Sequence, residues 1–250
     1  MDNPLHQLGQ TRSSHHPNHT LLTPDTFVRT VLPGMQKAMA IVHISPALGA
    51  AFTEYTAEFE AGGELGPAAA QRFLYVLDGA IQLEAAGKQQ KLGPRGYAFV
   101  PEKMALHVSA TVQSRMAVIE KQYHPLETAA APQLIVSSED TVASQSLGDD
   151  ASLQVKCLLP DQPAFDFAVN TMTYQPGSSL SMVEMHIMEH GLIMLEGGGI
   201  YRLGDQWYPV TAGDFIWMGP WCPQWFAAIG KVPAKYLIYK DANRHPLTQP

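Results

Sequence analysis

An internal repeat with a period of about 117 residues constrains the fold of this chain more than any other feature. The same apolar pattern occurs in FLYVLDG at 73–79 and in LIMLEG at 192–197, and an alternating run follows each block. A second pair of similar blocks begins at Gly96 and at Gly213, at nearly the same spacing in both halves. A repeat of this length is too long for a solenoid unit and matches a whole domain. The sequence therefore predicts two copies of one domain, joined by a linker at 129–132.

Short apolar runs separated by turn residues indicate β structure in both halves. The chain contains 20 glycines and 19 prolines, which recur between runs that alternate apolar and polar residues. Such runs are typical of half-buried antiparallel strands. We predict an all-β fold of two tandem jelly-roll β-barrels, with a flexible leader at 1–19, an N-terminal domain at 20–131 and a C-terminal domain at 132–250. Barrels of this kind enclose a pocket lined by alternate residues, so site residues should be spaced by two.

Composition excludes several classes of partner. The net charge is −7 and only 16% of the residues are charged, without the basic stripe that nucleic-acid binding requires. A small-molecule partner is expected instead. The N-terminus has no apolar signal sequence and no run of about 18 apolar residues occurs, so we expect a cytoplasmic protein without membrane association. His15, His16 and His19 belong to the polar leader, and we assign them no role.

Glu184, His186 and His190 form the strongest candidate site in the sequence. If their segment is a strand, Glu184 and His186 point to the same face, and His190 follows at or after a turn. A carboxylate and two imidazoles are common ligands of divalent metal ions. A fourth ligand would then have to come from another strand.

Two other interpretations of these three residues stay open. They could belong to a polar strand surface without a function. The segment HIMEH at 186–190 also fits the H-x-x-E-H pattern of a metallopeptidase, which requires a helix that presents both histidines on one face. Gly191, the glycines at 197–199 and the lack of a helical apolar stripe argue against a helix here.

The spacing of these residues resembles the two sequence motifs of the cupin superfamily. Glu184, His186 and His190, followed by Gly197, are similar to the first motif, with the glutamate and a histidine in exchanged positions. The segment 213–224 is similar to the second motif. Gln224 lies where that motif places its last histidine, so this resemblance makes Gln224 the candidate for the fourth ligand.

A narrower resemblance extends over nearly the whole chain. It is carried by EMHIMEHG at 184–191, Tyr201, Asp214, Gln224, YLIYKDANR at 236–244 and LLTPDTFV at 21–28. In these segments the chain resembles the (S)-ureidoglycine aminohydrolase family. The resemblance implies a bicupin with one divalent metal ion, Mn²⁺, in the C-terminal barrel alone. It also implies that Tyr201, Tyr236 and Lys240 bind the substrate. If the segment at 236–244 is the terminal strand of a barrel, its alternation sends Tyr236, Ile238 and Lys240 to one face.

The reaction implied by the resemblance is hydrolysis of (S)-ureidoglycine to (S)-ureidoglycolate and ammonia, a step of purine and allantoin catabolism. Glu184 and Lys240 are the candidate catalytic residues, and a homo-oligomer is expected. The sequence by itself does not select the metal, because geometry and availability decide which ion occupies such a site. A metal-dependent cupin oxygenase and a non-catalytic ligand-binding cupin, acting on another small carboxylate, stay open as alternatives.

The first half of the chain lacks a corresponding ligand set. The repeat pairs Arg72 with His190, and no histidine occurs between His43 and His107. His107 falls opposite Gln224 in this pairing, but one imidazole does not make a metal site. We therefore interpret His107 as a core or pocket histidine and expect the first barrel to be free of metal.

Overall fold

The computed structural model describes residues 10–245, most of which lie in antiparallel β-strands. The strands are, in chain order, β1 Ser14–His16, β2 His19–Leu22, β3 Arg29–Thr30, β4 Met35–Ile44, β5 Thr53–Leu65, β6 Gln71–Asp78, β7 Ile81–Ala85, β8 Lys88–Leu92, β9 Gly96–Val100, β10 Leu106–Ala110, β11 Ser114–Lys121, β12 Ile135–Ser138, β13 Gln145–Leu147, β14 Asp150–Cys157, β15 Phe167–Tyr174, β16 His190–Glu196, β17 Gly198–Leu203, β18 Gln206–Thr211, β19 Phe215–Met218, β20 Gln224–Ala228 and β21 Ala234–Asp241. Short 3-10 turns occur at Pro24–Thr26, Pro46–Leu48 and Glu139–Thr141. The predicted all-β class is confirmed.

The first barrel is the compact unit formed by Val28–Ala143, Cys157–Ala168 and the described chain from Ala242 to His245. Its antiparallel sheet has the strand order β12-β9-β6-β11-β5-β10-β7-β8, with β4 added to β5 and β3 added to β4. Alternate side chains of these strands, among them Tyr55 and Leu74, form one buried apolar core. The period-two alternation in the sequence is thus explained by strands with one face in this core.

The second barrel is the compact unit formed by the described chain up to Phe27, Ser144–Lys156 and Val169–Asp241. Its larger sheet has the order β1-β2-β19-β16-β21-β15-β14-β13, and a smaller sheet has the order β18-β17-β20. Leu192 and Ile238 belong to the buried core of this unit. No helix in the described part of the chain has the length and apolarity that a bilayer span needs.

The strand registers agree with the internal repeat at this position. In the second barrel His190, the first residue of β16, pairs with Met218 on β19. In the first barrel Arg72 on β6 pairs with Val100 on β9. Arg72 and its partner thus have the same separation in the chain as His190 and its partner, which supports the predicted correspondence between Arg72 and His190.

His107 does not have the position that the sequence comparison gave it. Pairing of β7 with β10 places Leu106 opposite Ala85, whereas pairing of β17 with β20 places Gln224 opposite Leu203. Leu106 is thus the counterpart of Gln224, and a shift of one residue turns a side chain to the other face of a sheet. His107 is exposed beside Glu64 at 3.4 Å, so its interpretation as a core or pocket histidine was wrong.

The predicted flexible leader is also corrected for the residues that the structure describes. Strands β1 and β2 pair with each other, and β2 pairs with β19 of the second barrel, where it buries His19 and Leu21. His19 is accommodated because its Nε2 lies 2.9 Å from the Tyr208 hydroxyl. Arg12 is held by a hydrogen bond of 2.9 Å from Nη2 to the buried carboxylate of Asp214. The polar composition suggested a coil, and the sequence did not reveal the strands because Tyr208, Asp214 and β19 lie far away in the chain. Residues 1–9 of the predicted leader lie outside the described range.

The boundaries predicted at 20–131 and 132–250 shift for a similar reason. Strand β12, which follows the predicted linker, pairs with β9 of the first barrel along its whole length. Strand β2, which lies within the predicted N-terminal domain, belongs to the second barrel. Each barrel therefore receives an outer strand from the part of the chain that precedes or follows its repeat unit.

Candidate active site

One cavity of about 130 Å³ in the second barrel is lined by all seven side chains that the sequence indicated. Four of them are the metal-ligand candidates, Glu184, His186, His190 and Gln224. The other three are Tyr201, Tyr236 and Lys240. The rest of the wall is apolar and consists of Leu147, Met172, Leu180 and Ile238. The motifs therefore meet in three dimensions although they lie on different strands and loops.

Two reciprocal backbone hydrogen bonds join Glu184 to Gln224. The N–H of Glu184 donates to the carbonyl of Gln224 at 2.8 Å, and the N–H of Gln224 donates to the carbonyl of Glu184 at 2.9 Å. Residues 181–189 form an irregular segment with this single bridge, where the sequence had suggested a strand. The bridge nevertheless holds Glu184 beside Gln224, the first residue of β20. The candidate for the fourth ligand thus comes from a separate strand, as expected.

His186 lies close to two of the other metal-ligand candidates. Its Nε2 is 3.0 Å from Oε2 of Glu184, and its ring centroid is 5.2 Å from that of His190. Its carbonyl accepts a hydrogen bond of 2.7 Å from the N–H of Trp221. Trp221 has a φ of +64°, in the left-handed region, so this contact depends on a local turn that the sequence did not reveal.

His190 is a buried imidazole with a defined tautomer. Its Nδ1 lies 3.1 Å from the carbonyl of Met188 and therefore carries the proton, which leaves a lone pair on Nε2. Burial first, and then the charges of Lys240 and His186, lower the pKa of His190 to about 3. The ring is consequently neutral at ordinary pH, which is the form that binds a metal ion.

The donor atoms fit a divalent metal ion. One carboxylate, two imidazoles and one amide oxygen are ligand types that such ions accept. The orientation of His190 by a backbone carbonyl is the usual arrangement behind a histidine ligand. Within residues 10–245 no three His, Cys, Asp or Glu side chains are grouped closely enough to hold a metal ion. The ligand set therefore fits by its donor chemistry and by its shared place in the wall of one cavity.

Three buried tyrosines surround Phe226 next to the cavity. The Tyr201 hydroxyl donates to Oε1 of Gln224 at 3.3 Å, and the hydroxyls of Tyr174 and Tyr236 are 2.8 Å apart. Burial, the largest cause, raises the pKa of all three phenols above the usual value. They are thus neutral at ordinary pH and available as hydrogen-bond donors.

Sequence reasoning found the polar side chains that line the cavity, but it missed Leu147 in the cavity wall and Tyr174, which contacts Tyr236. The predicted alternation of Tyr236, Ile238 and Lys240 on β21 is confirmed, since all three line the cavity. Tyr174 was missed, because it is one tyrosine at the end of an apolar strand with no motif around it. Leu147 was missed because its hairpin lies far from the motifs in sequence.

The metallopeptidase alternative is not supported by the structure. His186 and His190 do not lie on a helix, and Glu189 does not line the cavity. The carboxylate of Glu189 is buried and accepts a hydrogen bond of 3.1 Å from Nε1 of Trp217. A general base must reach the reacting centre, and Glu189 is directed elsewhere.

The first barrel has an ion pair where the second barrel has its candidate ligand. Arg72, the counterpart of His190, donates from Nε and Nη2 to the same oxygen of Glu120, at 2.9 and 2.7 Å. Tyr55 donates to this oxygen as well, at 2.8 Å. A guanidinium is always protonated and offers no lone pair to a metal ion. This position in the first barrel is therefore structural.

The fold and this cavity define the protein as a cupin, and residues 170–239 match the family model described as a cupin domain. The chain is 40% identical over 242 residues to a probable (S)-ureidoglycine aminohydrolase of Oryza sativa subsp. japonica, covering 96% of this chain and 78% of the relative. It is 37% identical to the (S)-ureidoglycine aminohydrolase of Arabidopsis thaliana, covering 96% of this chain and 80% of that protein. The crystal structure of protein Ylba from E. coli has a TM-score of 0.85 and 29% identity, covering 96% of this chain and 98% of that one. The chain belongs to the (S)-ureidoglycine aminohydrolase family.

Proposed function

We propose that this protein hydrolyses (S)-ureidoglycine to (S)-ureidoglycolate and ammonia, with one divalent metal ion in the second barrel. The observation that carries the proposal is the shared cavity of about 130 Å³, which combines a carboxylate, two imidazoles, an amide, two phenols and an ammonium. Family membership supports the same substrate. Location in the cytoplasm and assembly as a homo-oligomer stay predictions.

The metal-ligand candidates would hold the ion, and the family resemblance indicates Mn²⁺. When bound, the ion supplies Lewis acidity and orients the groups that coordinate it. Gln224 would contribute its Oε1, which already accepts the Tyr201 hydroxyl. His190 would contribute Nε2, because its Nδ1 is occupied by the carbonyl of Met188. The first barrel would remain without metal.

Lys240 binds the carboxylate of the substrate. Its backbone pairs with His190, which places its side chain in the wall of the cavity beside the metal-ligand candidates. An ammonium paired with a carboxylate in a partly dry site forms a strong, charge-assisted hydrogen bond. The same ammonium is the proton donor for the amine, which leaves as ammonia when the C–N bond breaks.

Glu184 accepts the proton of the attacking water. Its carboxylate lines the cavity and is 3.0 Å from Nε2 of His186, so it is held at the reacting face and not in bulk solvent. The water oxygen forms the new C–O bond while its proton passes to Glu184. Return of this proton to Lys240 restores both groups after each turnover.

Tyr201 and Tyr236 bind the ureido end of the substrate. The single proton of Tyr201 is donated to Gln224, so its oxygen accepts from an N–H of the ureido group. Tyr236 donates its proton to the ureido carbonyl. The two tyrosines therefore match the donor and acceptor pattern of one planar ureido group.

The size of the cavity selects against larger molecules. A space of about 130 Å³ with Met172, Leu180 and Ile238 in its wall admits a molecule of the size of ureidoglycine. Common cofactor and drug-like ligands occupy cavities of about 300–1,000 Å³. The substrate class is thus a small amino or ureido acid.

The test is ammonia release from freshly generated ureidoglycine by metal-depleted protein, with and without added Mn²⁺. We expect stereospecific formation of (S)-ureidoglycolate and ammonia in a ratio of one to one, with oxygen uptake absent. Oxygen consumption without ammonia release would favour the cupin oxygenase. Substrate binding without any product would favour a non-catalytic cupin.

A further inference from the structure

Leu147 is the exposed member of the apolar wall of the candidate active-site cavity. It is 39% exposed, whereas the other apolar residues that the described chain places in this wall are 5% exposed or less. These buried residues are Met172, Leu180 and Ile238. On its apolar side the cavity therefore opens to solvent beside Leu147.

Leu147 lies on a hairpin at the edge of the larger sheet of the second barrel. Strand β13 is the last strand in the order of that sheet and is exposed throughout its length. Its register with β14 shifts after Ser146, which lies opposite Gln154, so that Leu147 lies opposite Asp150. Residues 151–153 of β14 thus form a bulge. A β-bulge bends its strand and redirects nearby side chains, which explains how a residue of an edge strand lines the cavity.

The side chain of Gln154 holds this bulged hairpin together. Its Oε1 accepts a hydrogen bond of 2.8 Å from the Ser144 hydroxyl. Its Nε2 donates to the Ser146 hydroxyl at 3.1 Å and to the carbonyl of Ala151 at 2.9 Å. One amide thus links β13 to the bulge of β14 through both of its polar ends. Because Leu147 directly follows Ser146, these bonds restrict where the Leu147 side chain lies.

The rest of the cavity wall leaves little room for a longer ligand. The cavity has a volume of about 130 Å³, and its other apolar residues are buried, so extra atoms there would overpack the core. The polar rim contains Glu184 and His186, whose side chains are 3.0 Å apart. Extra carbon atoms against these groups would remove water from them without supplying a hydrogen bond. Additional length is therefore accommodated best beside Leu147.

We infer that Leu147 is a specificity-determining residue, whose side chain limits the length of the substrate at the opening of the cavity, and that Gln154 is its positioning residue. This inference rests on the proposed function, because the substrate class is a small ureido acid. It assigns the limit on length to one side chain of an edge hairpin. Such a residue discriminates between ligands that differ only in added carbon atoms.

Three stable ureido acids test the inference without turnover. N-carbamoylglycine has the carboxylate and the ureido group of ureidoglycine but no amine to release, N-carbamoylalanine adds one carbon, and N-carbamoylvaline adds three. Calorimetric titration of Mn²⁺-loaded protein gives a dissociation constant for each ligand, with both enantiomers of the chiral ones. Leu147→Ala removes three carbons, so the ratio of the constants for N-carbamoylvaline and N-carbamoylglycine should fall at least about tenfold. Leu147→Phe should raise the ratio for N-carbamoylalanine and N-carbamoylglycine.

A double-mutant cycle tests the positioning role of Gln154. Gln154→Ala should lower the ratio for N-carbamoylvaline and N-carbamoylglycine about threefold in the wild-type background. In the Leu147→Ala background the same change should leave this ratio unchanged, because the side chain that Gln154 positions is already gone. A general loss of stability would weaken all ligands alike and would not move the ratio. Equal changes in both backgrounds would overturn the role of Gln154.

Leu48→Ala is the matched control. Leu48 is a leucine of the first barrel that is 50% exposed and does not line the cavity. Its replacement should leave both ratios within about twofold of wild type, and both alanine variants should melt within about 2 °C of wild type. An unchanged ratio in Leu147→Ala, an equal fall in Leu48→Ala, or a wild type that binds none of the three ligands would overturn the inference. Absence of ammonia release from ureidoglycine by wild type would remove the proposed function alone, because the ratios are measured with ligands that do not react.

Discussion

Replacing Lys240 with methionine tests whether the Lys240 ammonium binds the substrate or has no role beyond its place in β21. Lys240 lines the cavity and is half-buried, and its backbone pairs with that of His190. Methionine retains most of the apolar stem and deletes the ammonium. A charge-assisted hydrogen bond is worth about 1.5–3 kcal/mol, which corresponds to a loss of about 10- to 150-fold in kcat/KM. The loss will be larger if the ammonium also protonates the leaving amine in the transition state.

The assay is ammonia release under Mn²⁺ saturation, together with a thermal melt. Lys231→Met is the control, because Lys231 is exposed and precedes β21 without lining the cavity. It should leave kcat/KM within about twofold of wild type, and both variants should melt within about 2 °C of wild type. If Lys240→Met retains wild-type kcat/KM, Lys240 does not bind the substrate and the assignment of the cavity to a carboxylate substrate is refuted.

Three further predictions concern the ligand set, a buried carboxyl and a strand contact. Gln224→His should retain metal but shift its preference toward Zn²⁺ or Cu²⁺ in competition dialysis, because imidazole replaces a harder amide oxygen; an unchanged preference would exclude Gln224 as a ligand. Glu54 has a buried carboxyl with no hydrogen-bond partner among the described residues, and burial raises its pKa from 4.5 to about 8. Between pH 4.5 and about pH 8 the folded state therefore binds one more proton than the unfolded state, so the free energy of unfolding falls by up to about 1.4 kcal/mol per pH unit as pH rises. Urea unfolding of Glu54→Gln should lack this pH dependence, and an equal pH dependence in wild type and variant would contradict the prediction. Gly199→Ala should cost about 1–3 kcal/mol in thermal unfolding, because the added Cβ would lie 2.0 Å from the carbonyl of Ala227, and an unchanged melting temperature would show that β17 and β20 separate freely.

The sequence was most informative where chemistry and periodicity coincide. The alternation on β21 predicted that Tyr236 and Lys240 share a face, and the cupin-like spacing selected Gln224. The prediction for β21 is confirmed because a strand fixes side-chain direction with a period of two, whereas Gln224 as a metal ligand stays a prediction. Neither prediction required knowledge of how the barrel closes.

The failures have a common physical origin, which is pairing between segments that are distant in sequence. The leader was interpreted as flexible from its polar composition, although β2 pairs with β19, which lies far along the chain. His107 was placed one residue out of register, and this was enough to assign it to the wrong face. Tyr174 shows the same limit within the site, since its partner Tyr236 is 62 residues away.

The central claim is that one divalent ion, bound by Glu184, His186, His190 and Gln224, is required for hydrolysis of ureidoglycine. The most direct measurement titrates metal-depleted protein with Mn²⁺ and follows ammonia release, with the double variant His186→Ala/His190→Ala treated in parallel. The account predicts that activity rises to a plateau at one ion per chain and that the double variant neither retains metal nor releases ammonia. Full activity in metal-depleted wild type, a plateau at two ions per chain, or metal retained by the double variant would contradict it.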